Sequence, residues 1–149
     1  MTRTSGAQQS KVRDQRGSAT VEITMLVPAL LLTLGLVIAG GRVWFARTSV
    51  NEAAHSAARA ASLARSAGEA GTAGRSAGEQ SLATGGLRCA STTVQVNTAA
   101  FGVPVGTPAT VTATVGCRVA FADLLLPGLP GAIDLDATGA SALDTYRSR

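Results

Sequence analysis

Catalytic equipment is what this sequence has least of. It holds one histidine, two cysteines and a single lysine, and its nine Asp and Glu are scattered along the chain. Most zinc sites are thereby excluded, because they need three or four protein ligands at set spacings, and so is any proton relay with more than one histidine. Aromatic residues are only 3% and charged residues only 15% of the 149 positions, which is too charge-poor for an ordinary cytosolic domain. The net charge is +4 and the pI about 10.0. Twelve of the thirteen bases are arginines, however, and none form the cluster that a nucleic-acid groove requires. A phosphate-cradling loop lacks its Gly-Lys-Ser/Thr ending. The expectation is a protein that is not an enzyme, with no catalytic residue, metal, cofactor, small-molecule substrate or nucleic-acid partner.

What the chain does have is one long hydrophobic run. Positions 23–41 are nineteen residues without a charge, about 28 Å as a helix against roughly 30 Å of bilayer hydrocarbon. The rest of the chain is too polar and too Gly-rich to wrap such a helix, so the run reads as a single membrane span. Arg3, Lys11, Arg13 and Arg16 precede it, which places the N-terminus in the cytoplasm and the C-terminal part outside. Trp44 and Phe45 follow at the level of the outer headgroups, where an aromatic anchor and packing on a neighbouring helix are equal readings. A cleaved secretory signal does not fit, because its apolar region is shorter, about 7 to 15 residues, and ends in small residues. Pro28 removes one helical hydrogen bond, with a kink expected there.

At the mouth of the span stands a lone acid, Glu22, which is costly to bury in hydrocarbon unless it is paired or reaches the interface. Gly17, four residues, Glu22 and then an apolar helix resemble the class III signal of type IV prepilins. The resemblance implies that a membrane peptidase cuts after Gly17, that Ser18 becomes the new N-terminus, and that the Glu22 carboxylate meets a subunit's terminal ammonium during assembly. Pairing the two groups lowers the cost of burying either.

Past the span, Val43, Ala46, Val50, Ala53 or Ala54, Ala57, Ala61 and Ala64 recur at three and four residues, so the helix is expected to run from Ser18 to about Ser66 with one narrow apolar stripe. His55 reads as a surface residue. Positions 67–86 turn to Gly, Ala and Ser, with a near-repeat of 65–69 at 75–79, and read as a flexible linker. Period-two alternation then marks three strands: one at Val94 and Val96, one from Val111 to Phe121, and one from Ile133 to about Leu143. Gly102, Pro104, Gly106 and Pro108 separate the first two, and a Pro- and Gly-punctuated stretch, 124–131, precedes the third. The apolar sheet face is expected to pack on the helix stripe. Folding the first hairpin about Val103 brings Cys89 and Cys117 together, with Cys89 just outside the regular ladder. A disulfide is expected in an exported domain, two buried thiols being the alternative. Asp134 and Asp136 share a strand face as solvated residues without basic company.

The fold class is therefore α+β: a long N-terminal transmembrane and amphipathic helix, then a small three-stranded antiparallel sheet, as in pilins. The segments are a basic leader (1–17), the helix (18–66, span about 23–41), the linker (67–86) and a small exported β domain (87–149). The basic leader, Gly17 and Glu22, the span with Pro28, the Gly-Arg that follows, the Ala-rich helix and the Thr/Val strands together resemble the TadE-like pseudopilins of tight-adherence (Tad/Flp) pili, best over 16–65. Major pilins of that system are much shorter and usually carry Tyr after the Glu, where this chain has Ile23, so the resemblance is to a minor pseudopilin. It implies a bacterial single-pass membrane protein that enters or primes a pilus or related secretion machine. The implied partners are prepilin peptidase, other pilins and pseudopilins, the pilus assembly platform and membrane lipid. The alternative is an unprocessed, membrane-anchored extracellular binding domain.

Overall fold

A computed structural model describes residues 11–124 and 130–144, with side chains over 23–123 and 130–144. The elements run α1 (Lys11–Ser62), α2 (Ala67–Thr84), β1 (Ser91–Asn97), β2 (Ala109–Ala120) and β3 (Ala132–Leu143), with short 3-10 turns at Ala99–Gly102 and Phe121–Leu124. The chain divides into two units, Met1–Gly40 and Gly41–Arg149. The first is the N-terminal part of α1, which continues through Pro28. Eleven large apolar side chains between 23 and 38 are 46% or more exposed there.

In the second unit three strands form one antiparallel sheet in the order β1-β2-β3. Val94 lies opposite Val115 and Val96 opposite Ala113, while Val115 faces Ala137 and Cys117 faces Leu135. This register gathers the apolar residues of all three strands on one face, because side chains alternate along a strand. Against that face lies the stripe of α1. Ala46, Val50, Ala53, Ala54, Ala57 and Ala58 are buried in one cluster with Val94, Ala113, Val115, Val119 and Leu135. Two positions per turn are covered, so the buried stripe is wider than the three-four spacing predicts. Ser49 is also buried, and its hydroxyl donates to the Phe45 carbonyl at 3.1 Å, so no polar atom is stranded there.

The linker reading of 67–86 is overturned: 67–84 is α2. Its low side-chain bulk is a packing device. Ala70, Gly74, Gly78 and Leu82 recur every fourth residue and are buried. A β-carbon on Gly74 would stand 2.8 Å from a Val96 methyl and 3.0 Å from the Ala57 carbonyl oxygen, so only glycine lets α2 lie this close to α1 and β1. The ends are specified as well. Ser66 is the N-cap, its hydroxyl accepting from the Glu69 amide at 3.3 Å while the Glu69 carboxylate accepts from the Arg65 amide at 3.1 Å, a variant of the capping box. At the other end Gly86 has φ +68, and the amides of Gly86 and Leu87 donate to the Ala83 and Leu82 carbonyls, which is a Schellman ending with glycine in the left-handed position. α1 consequently stops at Ser62, short of Ser66, and it already includes Lys11–Gly17, ahead of Ser18.

The closest approach in the sheet is at Gly139 on β3, where a β-carbon would stand 2.4 Å from the carbonyl carbon and oxygen of Ala54. Backbone cannot step aside as a side chain can. Gly139→Ala is expected to lower stability by about 1–3 kcal/mol through overpacking, read as a drop in the thermal midpoint of the detergent-solubilised full chain. Gly71, in α2 with nothing within 4 Å, provides the opposite case. Gly71→Ala should raise stability by about 0.5–1 kcal/mol, the helix propensity difference, whereas an unstructured 67–86 would leave the midpoint unmoved.

Candidate functional site

The residues singled out at the processing junction all lie on α1. The backbone from Gly17 to Glu22 is helical; the Glu22 side chain is outside the described residues, as is the leader over 1–10. Immediately after Glu22 the exposed apolar side chains begin, with Ile23 61%, Met25 75% and Leu26 69% exposed. Burying each such side chain is worth about 1.5–3 kcal/mol. Eleven of them therefore represent on the order of 20 kcal/mol, above the roughly 5–15 kcal/mol that holds a whole domain together. Water is the wrong surrounding for this segment, and a lipid or other apolar surrounding is the right one. The helix from Ile23 onward is long and apolar enough to cross a membrane.

Cys89 and Cys117 are joined in a disulfide, with their Cα atoms 5.4 Å apart. The ladder places Cys117 opposite Thr92, so Cys89 lies two residues before the start of β1. The bond ties the end of the α2-β1 connection to the C-terminal third of β2. His55 is exposed on α1. Asp134 and Asp136 are exposed on β3, and the expectation that they lack basic company is corrected by the register: Arg118 lies opposite Asp134, with Nε 3.8 Å from Oδ1. Arg118 and Asp134 stand 16 positions apart in the sequence and meet only once the register is known, so spacing alone did not reveal the pair. Both partners are more than half exposed, and such a pair contributes little to stability. Among the described residues no group of three or more His, Cys, Asp and Glu could hold a metal ion. Positions 125–129, within the Pro- and Gly-punctuated stretch, and 145–149 lie outside the described residues.

An apolar helix long enough to cross a membrane, continuing into a stretch that a disulfide-bonded antiparallel sheet packs against, is an α+β architecture with a candidate membrane anchor at its N-terminal end. Residues 17–59 match the family model described as TadE-like protein, the family that the sequence resembles. The match begins at Gly17 itself and ends within α1, ahead of α2 and the sheet. Neither a curated protein nor a solved structure matches the chain.

Closing the 28-residue separation between the two cysteines restricts the unfolded chain by roughly 3–4 kcal/mol on the entropic account. The double variant Cys89→Ser/Cys117→Ser is expected to lose about that much in chemical denaturation of the oxidised full chain. A loss below about 1 kcal/mol would show that the bond does not constrain the unfolded ensemble as described.

Proposed function

We propose that this chain is a minor pseudopilin of a Tad/Flp-type pilus or a related secretion machine, inserted in the bacterial membrane with its N-terminus in the cytoplasm and the unit from Gly41 onward outside. The observation that carries the reading is the coincidence, on one helix, of Gly17, Glu22 and the apolar run with a TadE-like match whose first residue is Gly17. The Cys89–Cys117 disulfide supports an oxidising, extracytoplasmic location for the sheet. In this reading prepilin peptidase hydrolyses the Gly17–Ser18 bond, water supplying the hydroxyl of the leader's new carboxylate and the proton of the new amine. The mature chain then starts at Ser18 with an ammonium group, five residues into which comes the Glu22 carboxylate.

The chemistry of the junction follows from where those groups must reside. A carboxylate beside eleven lipid-seeking side chains is costly alone, and an ammonium on an adjacent subunit offsets that cost by forming a pair in low dielectric. Assembly with other pilins and pseudopilins on the platform thereby becomes favourable for the cleaved chain and unfavourable for one that keeps its leader, because an uncleaved chain has no amine at that level. Membrane lipid takes the place of those partners before assembly.

N-terminal sequencing of the protein from its native membrane is expected to begin at Ser18. An intact leader overturns processing and leaves a membrane-anchored extracellular domain. Glu22→Ala is expected to remain cleaved after Gly17 yet to be absent from sheared surface fibres. Normal recovery of that variant in fibres would remove the charge-pairing role.

A further inference from the structure

At the end of the unit where Gly41 and Arg42 follow the apolar run, the surface opens into a cavity of about 530 Å³ lined by Arg42, Phe45, Leu87, Arg88, Val119 and Asp123, among others. That volume falls within the roughly 300–1,000 Å³ of small-molecule sites. Two guanidinium groups and one carboxylate leave it with one net positive charge. Among the described residues none of the three has an ion-pair partner, so the charges on this wall are open to a ligand. The apolar part of the lining and the neighbouring Trp44, 74% exposed, add the amphipathic surface that favours the headgroup layer.

We propose that this cavity binds the headgroup of an anionic glycerophospholipid, with phosphatidylglycerol as its occupant. The inference rests on the membrane-spanning reading of the apolar run but not on cleavage after Gly17. A phosphodiester carries one negative charge, which matches the net charge of the lining, and guanidinium groups are good phosphate donors. Asp123 accepts from the hydroxyl groups of the terminal glycerol. A choline headgroup offers neither a donor for Asp123 nor a net negative charge. The acyl chains continue into the bilayer from a residue, Arg42, that stands directly after the span, so a lipid reaches the site without leaving the membrane. The bound lipid would fix the depth at which the span ends.

The test is the lipid retained by the full chain on release from nanodiscs of mixed phosphatidylglycerol and phosphatidylcholine, counted by native mass spectrometry. Phosphatidylglycerol is expected to be enriched over its share of the disc, with Arg42→Gln and Arg88→Gln each weakening the enrichment about fivefold. Arg75→Gln, which removes the same charge from an exposed position on α2, is expected to leave it unchanged. Equal retention of the two lipids, or an equal loss in the Arg75 variant, overturns a specific headgroup site. Displacement by millimolar glycerol 3-phosphate would assign the cavity to a free phosphate ester and overturn the lipid. A chain that stays out of the bilayer removes the span reading and this site with it; one that inserts without preference removes the site alone.

Discussion

Side chains no larger than a methyl group bring α1 onto the sheet, and the unit from Gly41 onward depends on that contact. Ala53, Ala54, Ala57, Ala58 and Ala61 are fully buried, and the absence of a side chain at Gly139 lets β3 meet the Ala54 backbone. Small residues forgo much of the transfer energy that Leu or Phe would supply. They recover part of it in dispersion, because short side chains place many backbone atoms within contact distance. The same device is used a second time where Gly74 and Gly78 of α2 meet Ala57 and Val94. With few large hydrophobic groups in the core, the disulfide supplies a cross-link that a better-filled small domain would not need.

Along α1 the size of the apolar residues changes with the surroundings they meet. Leu, Ile, Val and Met crowd all sides of the helix over 23–38 and are exposed, whereas Ala dominates one face over 46–64 and is buried. A helix apolar all round belongs in lipid or among other apolar helices, and a one-sided stripe belongs on a sheet. One element thus satisfies two different partners. The proposed pilus-type assembly would ask for that division, since the first part would trade lipid for other subunits while the second keeps its own sheet.

The hydrophobic run and the three strands were legible because each rests on a periodicity that side-chain burial imposes directly. The Val94–Val115 and Val96–Ala113 pairs share a face as the alternation requires. α2 was hidden by its own solution to packing. Its contact residues are Ala and Gly, which a composition argument counts as incapable of burying surface, yet their spacing of four was present in Ala70, Gly74, Gly78 and Leu82. Ser66 and Glu69 stood at the capping-box spacing, and the Gly85-Gly86 pair marked a helix end. The near-repeat hid the difference, because one copy caps the helix through Ser66 while the other, at 75–79, lies within it. The Arg118–Asp134 pair needed the register, and the cavity beside Arg42 needed the path of the chain around α2.

That path is why a helix rather than a linker over 67–84 matters for the proposed lipid site. In a flexible linker Arg88 would have no fixed relation to Arg42, forty-six positions earlier. The Schellman ending at Gly86 instead turns the chain at a set angle, and Leu82 and Leu87 both join the core cluster. One residue further on, Cys89 is bonded to β2. Arg88 is thus held between a packed leucine and a covalent link, with an exposed side chain on an anchored backbone. Arginine costs more entropy to immobilise than almost any other side chain, and a fixed backbone on both sides confines that cost to the side chain alone. The glycines that made 67–86 look structureless are therefore the residues that bring a second positive charge beside Arg42.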